Sequence, residues 1–128
     1  MATGFPAATG DILSAAMYNG LVNYTVTTNT ADYTALIADQ YQALEIMNKA
    51  TAIAFKIPTN ASVAFPIGTV ITVLNIGVGV CTISAVTPAT TIVLSSGAVA
   101  ASPTLAQYRS AALIKTGTDA WYCVGSIG

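Results

Sequence analysis

A chain of 128 residues that is 54% hydrophobic and only 7% charged has room for one domain with a real core, yet an ordinary soluble domain is about 25% charged, so a lone copy would expose wide neutral surface. With a net charge of −1 and four basic residues, it lacks both the electrostatic footprint of a nucleic-acid binder and the basic amphipathic helix of a membrane-surface protein. It has no histidine, which removes the commonest general base and metal ligand. Composition therefore argues against an enzyme and for an obligate oligomer or a part of a larger assembly.

The opening Met1-Ala2-Thr3-Gly4-Phe5-Pro6 has no basic n-region and no apolar h-region, which predicts a chain without a secretory signal. Residues 1–10 read as an irregular arm punctuated by Gly4, Pro6 and Gly10. Asp11 as N-cap and Gly20 as C-cap bracket a short helix over Ile12–Asn19. A helix of about two turns does not hold alone in water. Its apolar residues must dock, either on the chain's own β domain or on a neighbouring subunit or scaffold. The predicted division is an arm and helix over 1–21 and a β domain over 22–128.

From Leu21 to Thr28 the pattern alternates, with Val22, Tyr24, Val26 and Thr28 on one face. Asn29–Asp32 reads as a turn, Tyr33–Ala38 as a short strand and Asp39–Tyr41 as another turn. Ala38–Lys49 has helical propensity, but Leu44, Ile46 and Asn48 alternate against Glu45 and Met47, which favours a strand. Thr51, Ile53, Phe55 and Ile57 face one way and Ala52, Ala54 and Lys56 the other, up to Pro58.

Between Lys56 and Arg109 there is no charged residue. Two β-branched runs, Gly68–Asn75 and Val80–Ala85, flank Ile76-Gly77-Val78-Gly79 and predict a hairpin. Polar residues break every apolar run well short of the ~20 residues a membrane helix needs. Thr87-Pro88-Ala89 interrupts, Thr91–Leu94 is a further strand and Ser95–Pro103 a loop. Gln107–Lys115 and Trp121–Val124 form a second hairpin around Thr116–Asp119. Turn signals at this spacing predict a mainly β fold, a single antiparallel β-sandwich or small jelly-roll-like barrel.

Chemistry is sparse. Asp39 and Glu45 are the one close carboxylate pair, and they read as solvated surface charges rather than an acid–base dyad. Gly77-Val78-Gly79 lacks the following helix a phosphate loop requires. Cys81 and Cys123 cannot make a zinc site alone and read as buried thiols, with a disulfide left open. Trp121, in the alternating run Ala120–Val124, reads as core or interface rather than a sugar platform. Without a secretory signal, the sequons at Asn23 and Asn60 read as chance. No catalytic residue, metal, cofactor or small-molecule substrate is assigned.

Three stretches carry a resemblance. Thr9–Val22, TGDILSAAMYNGLV, resembles the opening of many tailed-bacteriophage tail and fibre proteins. Ile57–Ala85, IPTNASVAFPIGTVITVLNIGVGVCTISA, resembles a small β module of phage virion proteins, with Ile-Pro, Phe-Pro-x-Gly-Thr, an apolar strand, Gly-x-Gly and a second strand. Gln107–Gly128, QYRSAALIKTGTDAWYCVGSIG, resembles the close of that module. The chain departs from the pattern at Ser84–Pro88, where the family often has glycine. The resemblance implies a virion structural protein made in the host cytoplasm. With Met1 at its start, the chain reads as a complete small subunit with no room for a fibre shaft. The expected role is a capsid decoration (cement) protein on the capsid surface, a homotrimer bound to the major capsid protein. A tail, fibre or host-recognition component that binds carbohydrate is the alternative. The expected capsid contacts are Phe5, Ile12, Leu13, Met17 and Tyr18.

Overall fold

The computed structural model describes Ser14, Ala15 and residues 25–95 and 102–127. The predicted arm and helix lie outside these residues apart from Ser14 and a helical Ala15, both exposed. The strands are β1 (Thr25–Asn29), β2 (Tyr33–Thr34), β3 (Ala43–Met47), β4 (Ile53–Ile57), β5 (Val70–Asn75), β6 (Cys81–Ala85), β7 (Ile92–Ser95), β8 (Thr104–Leu105), β9 (Arg109–Gly117) and β10 (Ala120–Gly125). One 3-10 helix, Ile37–Gln40, follows β2. The strand expected over Tyr33–Ala38 therefore stops after two residues.

The fold is mainly β, in two mixed sheets. The larger sheet has the order β1-β3-β5-β9-β10-β7 and the smaller the order β2-β4-β6-β8. Among the described strands, every connection from β1 to β9 crosses from one sheet to the other, and only β9 to β10 is a hairpin within a sheet. This corrects the antiparallel expectation. Tight hairpins make antiparallel neighbours, whereas a chain that crosses the core and returns adds its next strand in the same direction. Accordingly β1, β3 and β5 are parallel in one sheet, and β2, β4 and β6 in the other. Antiparallel pairing begins after this parallel coil of β1 to β6, at β8 on β6 and β9 on β5.

The predicted hairpin around Gly77 and Gly79 is not one, because β5 and β6 belong to different sheets. Residues 76–80 form an arch across the edge of the core, stacked on the arch of residues 48–52 that joins β3 to β4. Ile76 N–H donates to Met47 O (2.9 Å) and Gly79 N–H to Lys49 O (2.9 Å). A Cβ on Gly77 would sit 2.4 Å from Lys49 N, and one on Gly79 1.8 Å from Thr51 O. Neither glycine has a positive φ. They are glycine because backbone meets backbone, not because the chain reverses. Gly79→Ala is expected to cost roughly 2 kcal/mol through overpacking. Gly68→Ala, at a φ of 95° with nothing within 4 Å, is expected to cost about 1 kcal/mol through backbone conformation alone. Denaturant titration of the two variants checks the stacking; equal losses would contradict it.

One core lies between the sheets. The larger sheet contributes Met47, Ile71, Val73, Leu113 and Trp121, and the smaller Ile53, Phe55, Ile57, Ile83 and Leu105, all buried. The predicted alternation of β4 stands, with Lys56 half-buried on the opposite face. Buried Asn75 ties the coil to its end: its Nδ2 donates to Gly79 O (2.9 Å) and Leu105 O (2.8 Å), and its Oδ1 accepts from Gly77 N–H (3.1 Å). The second hairpin, β9 to β10, is where the turn residues predicted it.

Candidate functional site

The two sheets have unlike outer faces. On the smaller sheet, cross-strand rows run Thr34–Lys56–Ser84 and Ala54–Thr82–Thr104, mostly polar. On the larger sheet, register aligns Val26–Leu44–Thr72–Ala112–Val124 and, beside it, Val70–Ile114–Tyr122–Leu94. Ile46, Leu74 and Ile92 extend this surface, and no charged residue lies on these rows. Val26 is 57% exposed and Val124 47%. An aliphatic face of this breadth is the kind of patch that marks an interaction surface.

The charges that are absent there have partly gone inside. Of the nine charged residues in the chain, Asp39, Glu45 and Lys115 are buried. This corrects the expectation that Asp39 and Glu45 are solvated. Glu45 faces inward between Ala43 and Met47, and half-buried Leu44 and Ile46 take the outer face. Asn29 Nδ2 donates to Glu45 Oε1 (3.0 Å), while Glu45 Oε2 has no hydrogen-bond partner among the described residues. Asp39 Oδ2 accepts from Tyr33 Oη–H (2.8 Å) and Leu36 N–H (2.9 Å), which fixes the 3-10 helix. Burial, opposed by the Asn29 hydrogen bond and reinforced by Asp39, pushes the Glu45 carboxyl up to about 7. Burial and the neighbouring Asp39 also push the Tyr33 phenol upward.

A second polar cluster sits under β9 and β10. Lys115 Nζ donates to Asn60 Oδ1 (2.5 Å) and Phe65 O (2.8 Å). Asp119 Oδ1 accepts from Asn60 N–H (2.8 Å) and Thr91 Oγ1–H (3.2 Å). Phe65 meets Trp121 edge-on, with centroids 5.6 Å apart, so Trp121 is a core residue. Burial lowers the Lys115 ammonium pKa and Asp119 partly restores it. The inward alternation Ala111, Leu113, Lys115 was the available sequence signal for this lysine.

Cys81 on β6 and Cys123 on β10 are free, buried thiols, both pushed up to about 11 by burial. Leu36, Ile37, Ala38, Ser62, Val63 and Ala64 line an open apolar groove of about 680 Å³. Among the described residues, no cluster of three or more His, Cys, Asp or Glu exists to hold a metal, and no helix is long and apolar enough to cross a membrane. The expected capsid contacts Phe5, Ile12, Leu13, Met17 and Tyr18 lie outside the described residues. No family model, curated protein or solved structure matches the chain.

Proposed function

We propose that this protein is a structural subunit of a tailed-phage virion, a decoration protein that binds the capsid lattice as a homotrimer. The observation that carries the assembly part of this reading is the uncharged outer face of the larger sheet. A neutral aliphatic surface on a chain with so little charge marks an interaction site, and closed symmetric homo-oligomers are the commonest way to cover one. The resemblance of Thr9–Val22, Ile57–Ala85 and Gln107–Gly128 to virion modules supports the capsid part. Lattice contacts are assigned to Phe5, Ile12, Leu13, Met17 and Tyr18.

Val124→Lys should dissociate the oligomer while leaving the fold intact. The residue is 47% exposed within one subunit, and a charge buried unpaired between subunits is strongly unfavourable. Light scattering reads the outcome; a parent protein that is already monomeric at micromolar concentration would sink the assembly reading. Deleting residues 1–20 should leave a folded oligomer that no longer co-sediments with capsids. Full occupancy by the truncated protein would refute the lattice role of that segment.

A tail or fibre component draws support from the stacked parallel rungs of β1 to β6, an arrangement that an elongated shaft repeats. Copies per particle, counted by gel densitometry, separate the two: decoration requires many, a tail or fibre component few.

A further inference from the structure

We propose that Lys115 and Asn60 join in a spontaneous intramolecular isopeptide bond, from the lysine Nζ to the asparagine Cγ, with Asp119 as the proton carrier. The proposal stands independently of the assembly reading. Three observations carry it. First, Lys115 is only 2% exposed, and its Nζ lies 2.5 Å from Asn60 Oδ1, so nucleophile and carboxamide already touch. Second, the amine's hydrogen-bond partners, Asn60 Oδ1 and Phe65 O, are neutral carbonyls. Such a site stabilises an ammonium less than a carboxylate would, and burial favours the neutral, nucleophilic amine. Third, Asp119 is held beside Asn60 by the Asn60 backbone N–H and the Thr91 hydroxyl, and its charge acts on the Lys115 amine. Trp121, opposite Lys115 across β9 and β10, and the edge-on Phe65 wall the pocket with hydrocarbon.

The step balances without any co-reactant. The neutral Nζ attacks Cγ of Asn60 and forms the new C–N bond. Its displaced proton ends on Nδ2, and the Asp119 carboxylate, held on the Asn60 backbone N–H, is the group assigned to carry it there. The Cγ–Nδ2 bond breaks and ammonia leaves. Holding the two groups in contact supplies the effective concentration that an intermolecular aminolysis lacks. The product ties the loop after β4 covalently to β9, a cross-link that restricts the unfolded chain as a disulfide does.

The intact mass of the purified full-length chain tests this. The expected mass is lower than the sequence mass by one ammonia. Trypsin should leave Lys115 uncut and yield a branched peptide joining residues 57–109 to 110–128, because acylated lysine is not cleaved. Asn60→Asp should lose one water instead, and Asp119→Asn should keep the unbonded mass for longer. Full sequence mass in the native chain, with normal cleavage after Lys115, overturns the proposal. So does an ammonia loss that persists in Lys115→Arg, since it would then arise from another asparagine.

Discussion

Phe55→Ala is expected to cost about 3–5 kcal/mol, the range for emptying a large aromatic from a core. Lys56→Ala, one residue further along β4, should cost less than about 0.5 kcal/mol. Phe55 is fully buried and sits in the middle strand of the parallel set, paired with Tyr33 on β2 and Ile83 on β6. Its ring lies 5.7 Å from that of Tyr33, whose hydroxyl in turn holds Asp39. The cavity would therefore open beside Tyr33, the ring that anchors the 3-10 helix through Asp39. Lys56 points to the polar outer face, between Thr34 and Ser84. Its backbone carbonyl, which accepts from Ala35 N–H (3.0 Å), survives the substitution. Urea unfolding of both variants checks the pair of values. Equal losses would mean that the register of β4 is wrong, because a slip of one residue exchanges the two faces.

Period-2 alternation made this strand legible, and it did the same for Trp121 and Cys123 on β10. What alternation does not encode is which sheet a strand joins. The runs around Gly77 and Gly79 look like a hairpin because glycine has two uses, positive φ and close backbone approach, and sequence shows the residue without its use. The faces of β3 were hidden for a related reason. Leu44 and Ile46 look like core residues beside Glu45, yet the outer face of the larger sheet is itself aliphatic. Hydropathy cannot choose between two apolar faces. Here the inward face offered Glu45 an Asn29 amide, and the outward face leaves Leu44 and Ile46 half-buried. Low overall charge did predict an uncharged surface, and the structure assigns it to one sheet and not the other.

Stability should fall as pH rises from about 4.5 to about 7, by an amount on the order of 3 kcal/mol, through Glu45. Glu45 is 1% exposed. Among the described residues, the groups that face it are Asp39 from the 3-10 helix, Tyr33 from β2 and the neutral Asn29 from β1, while its β5 partner is Val73. None supplies a positive charge. Burial therefore opposes ionisation, the nearby Asp39 adds to it, and the single Asn29 hydrogen bond only partly compensates. A carboxyl whose folded pKa lies above its unfolded one takes up a proton on folding. Its contribution is fully present below about 4.5 and is lost as pH rises through about 7. Protonation also turns the unpartnered Oε2 into a donor, with Asp39 as the acceptor that faces it. Glu45→Gln keeps a partner for Asn29 and removes the titration. The variant should unfold at nearly the same urea concentration at about pH 5 and about pH 8, and should exceed the parent protein at the higher pH. A parent protein whose midpoint is unchanged across that window, or a Glu45→Gln variant that loses stability with pH as steeply as the parent, would show that Glu45 is not the group responsible.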